Sequence, residues 1–78
     1  MTRFYFHCTG PSEVIVDSIG SEVLDLSEAR AHALSLARFV VENAYGLRDF
    51  SHWQIYVGDE DDDEILLVPF TAALPALH

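Results

Sequence analysis

With 78 residues, 13 acidic side chains against four arginines and no lysine, the chain has a formal net charge of −9. A surface of that sign repels phosphate backbones and anionic lipid, which argues against direct nucleic-acid or membrane binding. Half of the residues are apolar, with five Phe, three Tyr and one Trp, which is too rich for a disordered chain and fits one folded domain over residues 1–78.

Cys8 is the lone cysteine, so no disulfide can form within the chain, and an unpaired thiol fits a reducing compartment. A domain of this size buries only about 60–65% of its extended surface. Without a staple it gains stability by associating with itself or with a partner. The start, MTRFYFHCTG, carries one Arg and an apolar stretch too short for an export signal, and no window reaches the ~20 apolar residues of a spanning helix. A cytoplasmic protein is expected.

The first predicted strand covers residues 3–8, RFYFHC, rich in aromatic side chains. The Gly-Pro pair in TGPSE turns the chain into a second strand at 14–17, VIVD, and DSIG closes that hairpin.

The helix is predicted over about residues 26–45. Asp25 is placed to cap it, Glu28 completes a capping box, and Leu24 stands where a hydrophobic staple would. Ala29, Ala33, Leu36, Ala37, Val40 and Ala44 share one face at helical spacing. Small residues in that stripe point to close approach to a sheet. Leu34, Val41 and Tyr45 widen the apolar arc, and Phe39 lies on the far flank, so contact with more than one surface is expected. Gly46 is placed to end the helix, with Leu47 folding back onto Val41.

A third strand follows at 52–58, HWQIYVG, with Trp53, Ile55 and Val57 on one face and His52, Gln54 and Tyr56 on the other. A fourth, EILLVPF at 64–70, is a continuous apolar run. The tail TAALPALH, broken by Pro75, is apolar enough to pack. The order is β-β-α-β-β: an α+β domain with a four-stranded, mainly antiparallel sheet and one helix packed on one face. Strand order within the sheet stays open.

Between the last two strands lie six acids, Asp59 to Glu64. Asp59, Asp61 and Asp63 match the opening of an EF-hand loop, but Glu64 stands where that loop needs Gly and Phe70 where it needs a bidentate Glu. The expected role is a solvated hairpin turn whose charges also discourage aggregation of the adjoining apolar run. An acidic contact for a basic partner and a weak cation site are the alternatives.

Residues with chemical potential are few. Cys8 shares a strand face with Phe4 and Phe6 and reads as a core thiol. His7 and His52 point to the opposite face and could meet only if their strands are neighbours, with no third zinc ligand close by in sequence. His32 and His78 read as incidental. No nucleophile motif or glycine-rich phosphate loop is present. No catalytic residue, metal site or cofactor is expected.

The opposite sheet face is more informative. If Phe4, Phe6, Trp53, Ile55 and Val57 meet the helix, then Tyr5, His7, Gln54 and Tyr56 lie together on the other side. The fourth strand adds Ile65 and Leu67, or Leu66 and Val68, to that face. Tyrosines beside polar neighbours are an interface composition. Either a partner covers this face or the tail, with Leu74 and Leu77, folds over it.

FYFH near the start, DSIGSEVLDL (Asp17 to Leu26) leading into an alanine-rich helix, WQIYVGD (Trp53 to Asp59) and Pro69-Phe70 together resemble a family of small bacterial proteins catalogued only as a domain of unknown function. The resemblance covers nearly the whole chain. It implies no activity, so no catalytic residue carries over. Where relatives have Gly in the second hairpin turn, this chain has Asp62 and Asp63. A looser likeness is to acidic antitoxin subunits with a β-β-β-α-β core that cover a basic ribonuclease, although the third strand before the helix is missing here or reduced to SEVLDL (Ser21 to Leu26).

The expected function is a non-enzymatic protein-interaction or regulatory module. It acts through Tyr5, His7, Gln54 and Tyr56, as a homodimer or with another protein. An antitoxin-like inhibitor of a basic partner is the alternative, and a small metal protein or hydrolase built on His7 and His52 is the third.

Overall fold

Strict alternation builds the first strand, β1 (Thr2–Thr9): Phe4, Phe6 and Cys8 are buried while Arg3, Tyr5, His7 and Thr9 are half-buried on the other side. The computed structural model describes residues 2–44 and 49–73. Within them β1 is followed by β2 (Val14–Ile15), β3 (Ser21–Val23), α1 (Leu26–Glu42), β4 (Gln54–Gly58), β5 (Glu64–Pro69) and a short α2 (Phe70–Ala73).

All pairings are antiparallel, and the main path runs β2-β1-β4-β5. β3 also pairs with β1, Thr2 opposite Val23 and Phe4 opposite Ser21, so β1 has β4 along one side and β2 then β3 along the other. The fold is thus the expected α+β one, with a fifth strand where the sequence showed only SEVLDL. Three residues are too short for a legible alternation; the free side of β1 recruits them.

Some predicted ends move. The second strand stops at Ile15 rather than residue 17, because Asp17 turns inward to bond β1. The third begins at Gln54, since Trp53 instead closes a turn by donating its amide to the Phe50 carbonyl at 3.0 Å. The fourth ends at Pro69, and Phe70 opens α2 while its amide bonds the Trp53 carbonyl at 3.0 Å. α1 ends at Glu42, where both the backbone amide and the side-chain Nδ2 of Asn43 donate to the Phe39 carbonyl. The proposed roles of Tyr45, Gly46 and Leu47 lie outside the described residues.

At the start of α1 the cap forms as expected at Asp25, while Glu28 reaches one residue further back than in a capping box, to Leu24. The Glu28 amide donates to Asp25 Oδ1 at 2.8 Å, and Glu28 Oε1 accepts from the Leu24 amide at 3.0 Å. The staple does not: Leu24 is 69% exposed, because its counterpart one turn into the helix is only an alanine, Ala29.

Ala29, Ala33 and Ala37 are fully buried, bringing α1 close onto the inner sheet face. Leu34, Leu36, Val40, Val41 and Ala44 pack around the same core, so the wide apolar arc is used. Phe50, Trp53 and Phe70 close one end of the core. Phe50 stacks on Phe70 at 5.4 Å and meets Trp53 edge-on at 5.3 Å. Arg38 ties α2 to α1 by donating to the Ala73 carbonyl.

Gly10 lies flat beneath this aromatic group: a Cβ there would come within 2.4 Å of the Trp53 ring. Gly10→Ala is expected to lower stability by about 2 kcal/mol through overpacking, measured by chemical denaturation. An unchanged midpoint would mean that the indole moves aside freely.

Candidate functional site

The strand register decides which outward side chains meet. His7 is opposite Tyr56, and Tyr56 is opposite Leu67, forming one row across three strands. Val14, Thr9, Gln54 and Pro69 form a second row across four. Tyr5, opposite Gly58, begins a third. The four residues singled out from the sequence, Tyr5, His7, Gln54 and Tyr56, therefore do share one face. Each is half-buried, and both helices pack on the other side of the sheet.

The bulge at Val57 and Gly58 settles the open choice in β5. Leu66 and Val68 lie opposite Val57 and Ile55 and turn inward, while Leu67 stays on the outer face and is 43% exposed. Ile65, within the irregular stretch, packs against the core. Whether the tail covers the face, as Leu74 and Leu77 could, lies outside the described residues.

His7 and Tyr56 line a shallow cleft of about 340 Å³ with Thr9, Val14, Val16 and Asp62. Their rings are 6.0 Å apart. The Tyr56 hydroxyl donates to the Asp62 carbonyl at 3.3 Å. Desolvation and the carboxylates of Asp62, Glu64, Asp63 and Asp59 push this phenol above its ordinary value, so it remains a neutral donor. His7 Nδ1 accepts the Asp17 amide at 3.0 Å, which ties β1 to the turn that follows β2.

Asp17 is the group the sequence undersold. It sits in the interval between β2 and β3 where β1 has no strand beside it. Its Oδ2 accepts the Phe6 amide at 3.1 Å, and its Oδ1 accepts the amides of Ile19 at 3.1 Å and Gly20 at 2.9 Å. Gly20 supplies the left-handed turn conformation, φ +79°. Desolvation raises the Asp17 carboxyl, but the amides of Gly20, Phe6 and Ile19 together with His7 outweigh it, and its pKa falls below the ordinary value. DSIG reads as a turn in sequence. That its first residue also substitutes for a missing strand depends on where β1 lies.

The acid run forms a built turn. Asp59 Oδ1 accepts the amides of Asp61 at 2.9 Å and Asp63 at 3.0 Å, and Asp59 exchanges backbone bonds with Asp62 and Asp63. Asp62 takes the left-handed conformation, φ 64°, which aspartate tolerates at modest cost. Among the described residues no three His, Cys, Asp or Glu side chains are grouped to hold a metal ion.

The remaining candidates disperse. Cys8 is 3% exposed, and burial, reinforced by the Asp17 charge, pushes its thiol up, away from the reactive thiolate. β1 and β4 are neighbours, as a His7–His52 site requires. However, His7 is level with Tyr56, whereas His52 lies in the turn before β4 begins at Gln54, and among the described residues neither belongs to a group of three His, Cys, Asp or Glu that could hold an ion. His32 packs its ring over Phe6 at 4.5 Å. Among the described residues no helix is long and apolar enough to cross a membrane.

Neither the curated proteins nor the solved structures give a match. A family match extends over residues 3–71, taking in all five strands, α1 and the outer-face residues. The chain belongs to the family described as a domain of unknown function, DUF6894.

Proposed function

We propose that this domain is a protein-interaction module whose contact surface is the outer sheet face at Tyr5, His7, Gln54 and Tyr56. The observation that carries this reading is the pair of cross-strand rows, His7–Tyr56–Leu67 and Val14–Thr9–Gln54–Pro69, on the face away from both helices. Aromatic and aliphatic groups interleaved with a few hydrogen-bonding ones suit a protein surface better than bulk water. The absence of catalytic motifs from the sequence and the dispersal of His7, His52 and Cys8 favour binding over catalysis.

A second reading is supported by the acid turn. Asp62 borders the same cleft, so the carboxylates of residues 59–64 stand at one end of the apolar rows. A partner with a basic rim would be steered by them, as an inhibitor of a basic enzyme would require.

Tyr56→Asp tests the face. Wild type and variant are immobilised and exposed to native-host lysate at low and high salt. Wild type is expected to retain a stoichiometric protein, and Tyr56→Asp to lose it at least tenfold while its circular dichroism spectrum is unchanged. Equal retention by a folded variant would sink the assignment. Retention by wild type that ignores salt would leave the face but remove the basic-partner version.

A further inference from the structure

At the opposite margin of the sheet from β5, β2 is an open edge among the described residues. On one side it pairs with Cys8 and Thr9. Along it Val14 is 62% exposed, Ile15 52%, Val16 66%, and Ile19 just beyond is 78%. Edge strands are ordinarily guarded by charge, proline or shortness; β2 is only two residues long and Glu13 and Asp17 flank it, but Val14 to Val16 itself carries neither charge nor proline. Behind this edge a mainly apolar cleft of about 310 Å³ separates it from α1, with Ile15, Val16, Leu36, Phe39 and Val40 in its walls and Asp17 and His32 as its polar members. Phe39, on the helical wall, is 62% exposed.

We propose that this edge and cleft are where a second copy of the chain docks, β2 pairing antiparallel with its counterpart about a two-fold axis. Both α1 helices then lie on the same side of one continuous sheet, and the two Phe39 side chains meet over the joined clefts. Area favours a second copy. Each of these side chains carries on the order of 100 Å² of apolar surface, so the five leave several hundred Å² uncovered. That supplies a large part of the ~800 Å² per subunit of a standard interface, and a two-fold axis uses the same patch on both copies.

This surface meets the outer face at Val14 and Val16, which also line the His7–Tyr56 cleft, and is told apart from it by Phe39 and Ile15 on the α1 side.

Sedimentation velocity between about 1 and 100 µM tests it, with wild type, Ile15→Lys and Phe39→Lys. Wild type is expected to run at twice its 8.7 kDa chain mass. Each variant should weaken association at least tenfold. Phe39 is exposed on a helix, so its variant keeps the fold even if Ile15→Lys does not. Hydrogen exchange at the Val14–Val16 amides should slow as wild-type concentration rises. A wild-type monomer at 100 µM overturns the proposal. So does a dimer that survives Phe39→Lys with no concentration-dependent protection at residues 14–16.

Discussion

Phe70→Ala removes the cooperative melting transition at 37 °C. Phe70 has no solvent exposure, stacks on Phe50 at 5.4 Å and lies 6.1 Å from Trp53. It is also the residue at which β5 becomes α2, with its amide fixed to Trp53. Truncating a buried Phe costs about 3–5 kcal/mol, since the site cannot collapse around the loss. At roughly 0.05–0.15 kcal/mol per residue, a chain this long has about 4–12 kcal/mol in all, and small domains fall toward the low end. The check is a thermal scan by circular dichroism. Because about 1 kcal/mol shifts Tm by about 4–8 °C in a domain of this size, a fall of less than about 10 °C would show that the aromatic group is not what closes the core.

Asp17→Ala costs about 3 kcal/mol and detaches the margin of the sheet before the core yields. Three amides, those of Phe6, Ile19 and Gly20, lose a charged acceptor together. Asp17→Asn recovers only part, because one of its two side-chain atoms is then a donor facing donors. The same bonds make wild-type stability depend on acid. The folded carboxyl has the lower pKa. Its contribution is therefore complete above the unfolded-state value, about 3.9, and is lost as pH falls through the lower folded value. Urea titrations of wild type and Asp17→Ala from pH 7 to pH 3 should converge at the acid end. Curves that stay parallel would mean that the carboxylate charge is not what holds this turn.

What could be read from the sequence had a local cause. The Asp25–Glu28 cap, the alanine stripe of α1 and the period-two alternation of β1 and β4 each follow from neighbouring residues. They are why Tyr5, His7, Gln54 and Tyr56 could be grouped before their strands were known to be adjacent. What could not be read depends on distant chain. β3 exists because β1 has a free side. Phe50 stands alone in RDFS, and only the return of Phe70 makes it part of a core. The inward residues of β5 were undecided between two sets because a bulge, not alternation, sets the register.

The placement of β1 also has a consequence for the order in which the protein is made. Its longest pairing, with β4, joins Thr9 to Gln54, 45 residues later. At about 5–20 residues per second of synthesis, Phe4, Phe6 and Cys8 wait roughly 2–9 s for the strand that covers their neighbours. During that interval β2, β3 and α1 are the only elements available to shield them. The β1–β2 pairing at Val14–Ile15 and then the Asp17 turn, complete by Gly20, are thus the first holds on β1 that a growing chain can form.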